Sequence, residues 1–211
     1  KWLDPAGRIH TNIKQTGTVT GRLSTGEPGL QNIPRPDEDV FKIRRAFSAP
    51  HGRVLVIADY EQIEMRLLAH FSGDSKMINA IRGGTDIHCL TVSEMEGVSY
   101  EEVIAAKKAD KAFKEGKGPE LTDRQKRLLF LRQVCKAVGF GIIYGIGGRL
   151  LAENLTKETG NYISEQEGKA KINRWLDVFP GIKKYLADER AYLMKYGVTY
   201  TLLGRQRRIG H

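Results

Sequence analysis

Residues 122–145, TDRQKRLLFLRQVCKAVGFGIIYG, predict a long helix. Thr122 and Gln125 have the spacing of a capping box, in which each side chain bonds the other residue's backbone N–H at the start of a helix, and Ser164 with Glu167 has the same spacing at a later predicted helix. Large apolar residues recur along the segment, while glycines at 139 and 141 weaken the far end of the helix. We therefore expect one long helix over about 122–145.

Four side chains of this segment share one face of the predicted helix at strict i+4 spacing: Arg132, Lys136, Phe140 and Tyr144. Because four residues turn an α-helix by roughly 400°, they form a slowly drifting stripe of two cations followed by two rings. The cations suit a triphosphate, and an aromatic ring suits the sugar and base of the same nucleotide. The alternative is an amphipathic helix with its rings in the core and its cations in water. Neighbouring glycines favour the nucleotide site, since they leave room for a flat ligand.

A compact apolar run, Val54–Ala58, has the length and β-branching of a buried strand. Asp59 follows directly, so its carboxylate would lie at the end of that strand, where Mg²⁺ and substrate phosphates could bind it. Alternatively, Asp59 caps the next helix, which the apolar spacing predicts up to Gly73. Glu64 lies about one turn into that helix and is either a second polar group at the same site or a glutamate paired with a nearby arginine.

Further candidate groups lie in predicted loops and turns. Arg22, Gln31 and Asn32 could donate to the minor-groove acceptors that all base pairs share, or the amides could bond local backbone. Gly204–Arg208 is a basic cluster suited to phosphate. His88 is either a buried helical histidine or a phosphate donor.

The overall composition excludes several classes of protein. The 211 residues carry a net charge of +9, which favours a polyanionic partner such as nucleic acid or nucleotide phosphates over a merely solvated basic surface. Two cysteines cannot form a disulfide framework or a CxxC zinc site. No apolar stretch approaches the roughly 20 residues that span a bilayer, no secretion leader is recognisable, and the P-loop pattern is missing.

Taken in order, these segments resemble the A family of DNA polymerases, that is, bacterial DNA polymerase I and its phage relatives. The matching segments are Thr20–Ser24 and Gln31–Pro34 (first palm segment), Asp59–Arg66 (motif A), Asp86–His88, Arg132–Gly145 (motif B, the nucleotide-binding helix of the fingers) and Thr201–Arg205. Glu61 departs from the pattern, since the bacterial enzymes usually have serine there. Residues 107–121 also depart from it, because they form a longer connection than is usual in the family.

The resemblance implies an α+β fold that is mostly α-helical, with fingers helices attached to a partial palm β-sheet. We expect the partial palm, including the motif A strand, over 1–73 and the fingers over 74–197. Within the fingers we expect the motif B helix over about 122–145 and an inserted, exposed loop over about 107–121. Residues 198–211 would form a return strand and a basic turn toward the palm.

The resemblance also implies roles for residues at the metal ions and phosphates. Asp59 would bind two Mg²⁺ ions, with the Tyr60 carbonyl as a further ligand. Arg132, Lys136 and His88 would hold the triphosphate. Lys136 would also protonate the pyrophosphate leaving group.

Other implied roles concern the sugar, the base and the DNA. Glu64 would exclude a 2′-hydroxyl, Phe140 would pack on the sugar, and Tyr144 would lie beside Glu64. The remaining residues expected at the incoming nucleotide are Gln62 and Ile63, and those expected at the DNA are Arg22, Gln31, Asn32, Gly145 and Arg205.

These expectations describe a fragment of a DNA-directed DNA polymerase, a nucleotidyltransferase that binds primer–template DNA and dNTP in the cytoplasm of a bacterium or phage-infected host. Motif C, which supplies the second metal-binding carboxylate, is not found, and neither are the thumb and an exonuclease domain. We therefore expect the remainder of the polymerase to be needed for activity, and the 211 residues alone not to polymerise. One alternative is a non-catalytic nucleotide- or nucleic-acid-binding module. Another is a structural basic helical domain, but that alternative would leave the two long motifs unexplained.

Overall fold

The computed structural model describes residues 2–34 and 39–208, which form two compact units divided after Asp59. The outermost residues of the predicted palm and return segments, Lys1 and 209–211, lie outside the described residues. The described chain is 56% helical and carries two small antiparallel sheets, which confirms the mostly helical α+β class. No helix of the described ranges is long and apolar enough to cross a membrane.

The first unit has little regular structure. Strand β1 (Ile13–Lys14) pairs antiparallel with β2 (Ser24–Thr25), and Ile13 lies opposite Thr25. Two short 3-10 helices follow, Leu30–Asn32 and Ile43–Ala46.

The predicted buried strand at Val54–Ala58 is wrong. The segment forms no strand, and its apolar side chains are exposed, with Ile57 92% exposed. A strand is stabilised by ladder hydrogen bonds to a neighbour, and within residues 2–34 and 39–208 nothing pairs with this segment. Asp59 therefore does not follow a strand. It does not cap the next helix either, because the N-cap is Gln62, in the left-handed region at φ 51°.

The second unit is a helical assembly followed by a hairpin. Its helices are α1 (Ile63–Ser72), α2 (Ser75–Arg82), α3 (Ile87–Glu96), α4 (Tyr100–Lys114), α5 (Asp123–Ile143), α6 (Gly148–Thr159), α7 (Glu165–Val178) and α8 (Pro180–Tyr196). Strand β3 (Val198–Tyr200) then pairs antiparallel with β4 (Gln206–Arg208). The return strand predicted within residues 198–211 is thus only three residues long, and the turn after it contains Gly204 at φ 80°.

The helix-start signals of the sequence are confirmed. Thr122 and Gln125 form both hydrogen bonds of a capping box at α5, and Ser164 with Glu167 does the same at α7. Pro180 both ends α7 and occupies the first turn of α8, where its missing N–H costs nothing.

The first half of the predicted inserted loop over 107–121 is helical instead, because α4 continues through Lys114. Ser99 caps this helix by accepting from the Glu102 N–H, and Val103 and Ala106 are buried against the core. Residues 107–114 consist mainly of alanine and lysine, which are good helix formers, so this part of α4 is helical with few large apolar residues. Only the residues between Lys114 and Asp123 form a loop.

Helix α5 lies at the centre of the second unit, in contact with α3, α4, α6 and α7. Gly139 allows α7 to approach closely, since a Cβ there would lie 3.2 Å from the Trp175 Nε1 and 3.0 Å from the Met65 Cε. The Trp175 and Phe179 rings, 4.9 Å apart, complete this part of the core. Gly139 therefore serves helix packing, and the expectation that it leaves room for a ligand is wrong.

A buried carboxylate, Asp74, holds the starts of two helices together. Its Oδ1 accepts from the Met77 N–H at 2.9 Å, which caps α2, and its Oδ2 accepts from the Gly181 N–H at 2.8 Å in the first turn of α8. A Cβ at position 181 would lie 2.8 Å from the Asp74 Cα, so glycine is required for this approach.

We expect Asp74→Ala to lower the free energy of unfolding by about 2–4 kcal/mol, because it removes a helix cap and leaves the partly buried Gly181 N–H without an acceptor. Urea denaturation would measure the change. Asp188→Ala is the matched control, since it removes only an exposed ion pair with Lys184 and should leave stability nearly unchanged. Equal midpoints for the two variants would contradict the double-cap role of Asp74.

Candidate functional site

The structure brings the phosphate-type candidates together where α3 packs on α5. Arg132, Lys136 and Phe140 project from α5 at i+4 spacing, and His88 comes from the first turn of α3. The rings of His88 and Phe140 are 6.0 Å apart between centroids, at an interplanar angle of 40°. Two cations and an aromatic ring therefore lie along one stripe of α5, as predicted, and the buried imidazole of His88 lies beside that ring.

The predicted site extends to the end of α5. Tyr144 is its C-cap residue and is 66% exposed, and Gly145 follows at φ 72°. With Phe140 and Gly141 these residues line a groove of about 380 Å³, whose other wall is the start of α6, including Leu150. The groove is largely apolar, so it provides a surface for a flat ring beside the cations.

At the other end of the stripe, one carboxylate organises the site. Asp86 caps α3, because its Oδ1 accepts from the backbone N–H groups of His88 and Cys89, both at 3.0 Å. Its Oδ2 accepts from the Lys107 Nζ at 2.8 Å and from the Arg132 Nη2 at 2.9 Å. The Arg132 Nε also donates to the Cys89 Sγ at 3.3 Å. We call Asp86, Cys89, Lys107 and Arg132 the Asp86 cluster.

The cluster fixes the charges of its members. Burial alone would raise the pKa of Asp86, but hydrogen bonds from Lys107, the Cys89 N–H and Arg132 outweigh it and hold that pKa well below its usual range. Burial opposes the charge of Arg132 too, yet the bond to Asp86 leaves the Arg132 pKa raised. Both partners are therefore fully charged at neutral pH.

His88 is neutral under the same conditions. Its side chain is buried, and this burial lowers its pKa to about 4, while the cations Arg132, Lys136 and Lys107 lower it further against the opposing effect of Asp86. Its Nδ1 is buried and has no hydrogen-bond partner among the described residues. Of the two alternatives that the sequence left open, the structure confirms the buried helical histidine, and the cations Arg132 and Lys136 lie near it.

Beside the Asp86 cluster lies a polar cavity of about 210 Å³. Its lining includes Asp86, Lys107 and Arg132 together with residues from the start of α1, among them Gln62 and Arg66. The predicted site residue Gln62 is therefore placed next to Arg132. Ile63 begins α1 and is exposed, and Glu64 follows it in the first turn.

The first unit contains four of the remaining predicted residues: Arg22, Gln31, Asn32 and Asp59. The Gln31 amide bonds local backbone, since its Oε1 accepts from the Thr25 N–H at 3.1 Å and its Nε2 donates to the Leu23 carbonyl at 3.2 Å. For Gln31 the local alternative is therefore the one observed.

Two further predicted residues are exposed. Tyr60 is 80% exposed at the start of the second unit, and Arg205 is exposed in the turn between β3 and β4. Within residues 2–34 and 39–208, no three His, Cys, Asp or Glu side chains lie close enough together to hold a metal ion.

Sequence reasoning missed the Asp86 cluster. It identified Asp86 only as part of a triplet and placed Lys107 in an exposed insertion. The signal available was an aspartate directly before a helix, which is typical of an N-cap. Lys107 and Arg132 follow Asp86 by 21 and 46 residues, and these spacings did not indicate that both cations bond the Asp86 Oδ2.

Comparison with known proteins assigns the chain to a family. The family model described as DNA polymerase family A matches residues 2–115 and 120–211. DNA polymerase I of Caldicellulosiruptor bescii is 37% identical over 204 residues, which cover 97% of this chain and 20% of the relative. The thermostable DNA polymerase I of Thermus aquaticus is 36% identical over 201 residues, which cover 95% of this chain and 21% of the relative.

A solved structure is also similar: the POL domain of Pol1 from M. smegmatis in complex with DNA primer-template and dNTP. It has a TM-score of 0.74 and 35% identity, covering 98% of this chain and 31% of that one. This chain spans about a fifth of the length of its curated relatives. With nearly every residue inside the family match, the chain belongs to DNA polymerase family A.

Proposed function

We propose that this chain is the part of a template-directed DNA polymerase that binds the incoming dNTP. The observation that carries the proposal is the meeting of Arg132, Lys136 and Phe140 of α5 with His88 of α3. A triphosphate needs several cationic or donor groups within a short distance, and its sugar and base need an adjacent ring surface. The M. smegmatis structure of the same family holds DNA primer-template and dNTP, which supports this choice of ligand.

The proposed roles follow the order of side chains along α5. Arg132 and Lys136 would bind the phosphates, and Lys136 would donate a proton to the leaving pyrophosphate. His88, being neutral, would act as a hydrogen-bond donor instead of a counter-charge. Phe140 would pack on the sugar, with Glu64 excluding a 2′-hydroxyl.

At the end of α5, Tyr144 and Gly145 line the apolar groove and would lie near the base and the template. Gln62 and Ile63, at the start of α1, would contact the incoming nucleotide. Arg22, Gln31, Asn32 and Arg205 would contact primer–template DNA, Gln31 only after exchanging its local bonds.

Metal binding requires groups beyond those described. Asp59 and the Tyr60 carbonyl are the proposed Mg²⁺ ligands, but two divalent ions roughly 4 Å apart need more than one carboxylate to offset their repulsion. We propose that the other carboxylates come from sequence outside these 211 residues, since the relatives are about five times as long. When bound, the ions would activate the primer 3′-hydroxyl and stabilise the triphosphate charge. We propose the bacterial cytoplasm as the location of this activity.

We expect the chain to bind dNTP weakly, with Kd on the order of 10⁻⁴ M, and Lys136→Ala to weaken binding about tenfold. The reason is the loss of one charge-assisted contact to phosphate, while an alanine in a helix preserves the fold. Calorimetric titration with dATP would measure both constants. Lys126→Ala is the control on the same helix, because Lys126 pairs with Glu120 outside the site.

Equal affinities for Lys136→Ala and Lys126→Ala would remove Lys136 from the phosphate site. Failure of the unaltered chain to bind dATP would overturn the proposed function itself.

The buried His88 predicts a pH dependence of stability. Its pKa is about 4 in the folded chain against 6.5 when exposed, so the unfolded state binds the extra proton first as pH falls. The stability contributed by neutral His88 is complete above about pH 6.5 and is lost progressively down to about pH 4. Between pH 6.5 and 4.5 we expect a loss of about 2 kcal/mol.

Urea denaturation of the chain and of His88→Gln at both pH values measures this loss, because Gln has a similar polar side chain that does not titrate. The chain should lose more stability than the variant over this interval. Parallel losses would show that His88 titrates normally and is not held neutral by burial.

A further inference from the structure

We propose that Lys107 is a positioning residue that allows Arg132 to exchange between Asp86 and the phosphates of a bound nucleotide. The inference rests on the proposed function, because it assigns Arg132 to the phosphates. It concerns a residue of the segment that departs from the family pattern, so none of the roles implied by the resemblance includes it.

Lys107 and Arg132 share one oxygen of Asp86. The Oδ2 of Asp86 accepts from both Lys107 and Arg132, at 2.8 and 2.9 Å. Its Oδ1 is engaged by two backbone N–H groups of the α3 cap. Arg132 is therefore bound to Asp86 through a single oxygen, without the bidentate geometry that makes arginine–carboxylate pairs strong.

Release of Arg132 from Asp86 has an electrostatic cost. The Asp86 side chain is 10% exposed, and leaving a buried carboxylate without a counter-charge is strongly unfavourable. With Lys107 in place, Asp86 keeps a cationic partner when Arg132 leaves. Without Lys107, the whole attraction of Asp86 acts on Arg132 and opposes its release.

Arg132 borders a space into which its side chain can turn. The polar cavity beside the cluster is lined by three cations, Lys107, Arg132 and Arg66, and by two carboxylates, Asp86 and Glu61, so the charge of its lining is net positive. The Lys107 side chain is 49% exposed and the Arg132 side chain 21%. Arg132 therefore borders solvent on the side of the cavity and can meet a phosphate without unfolding α5.

The test is dATP titration of the chain and its variants. We expect Lys107→Met to weaken binding about three- to fivefold, the range open to a half-exposed ion pair, and Lys107→Arg to restore it. Lys108→Met is the matched control, since Lys108 is the exposed neighbour on α4, and it should bind as the unaltered chain does. Equal affinities for Lys107→Met and Lys108→Met would overturn the inference.

A double variant separates positioning from direct phosphate contact. Asn caps a helix as well as Asp does but carries no charge, so Asp86→Asn releases Arg132 while keeping the α3 cap. In that background Lys107→Met should have no further effect on dATP affinity. A persistent loss would show that Lys107 itself contacts phosphate, and would contradict the positioning role.

The inference can also fail independently of nucleotide binding. In the chain without ligand, solvent exchange of the Arg132 side-chain N–H protons, followed by NMR, should slow in Lys107→Met because Arg132 is then held more tightly. Unchanged or faster exchange would overturn the role of Lys107 even if dATP binds. If the chain binds no dATP while exchange slows as expected, the proposed function fails and the coupling of Lys107 to Arg132 is supported.

Discussion

The nearly enclosed carboxylate of Asp86 joins the three helices on which the candidate site is built. It caps α3, bonds Lys107 of α4 and bonds Arg132 of α5, so one side chain sets how these helices meet. The position of His88 follows from the cap, and the position of the stripe on α5 follows from the bond to Arg132. Because Asp86 is nearly enclosed, its charge must be balanced locally, and the two cations that balance it also border the polar cavity.

This arrangement means that structure and binding depend on the same groups. Arg132 stabilises the fold through Asp86 and is also the proposed phosphate ligand, so binding must exchange one anionic partner for another. The second cation on Asp86 makes such an exchange feasible. The neutral state of His88 has a related origin, since a protonated imidazole would add another buried positive charge beside Arg132 and Lys136.

Much of the second unit could be predicted from sequence because its signals are local. The capping boxes at Thr122 and Ser164 and the i+4 stripe depend only on helix geometry, and the structure confirms them. The predicted strand at Val54–Ala58 failed because a strand needs a neighbour, which composition cannot supply. The role of Gly139 was misjudged because it depends on Trp175, 36 residues away in sequence, and Lys107 was misplaced for the same reason.

The central claim is that one face of α5, together with the start of α3, binds the triphosphate. The most direct test is mapping backbone amide and side-chain NMR shifts of the chain during titration with dATP. The account predicts that the largest changes occur at Arg132, Lys136, Phe140 and His88 and saturate together. Changes concentrated instead at Gly204–Arg208, or spread evenly over exposed cations, would contradict it.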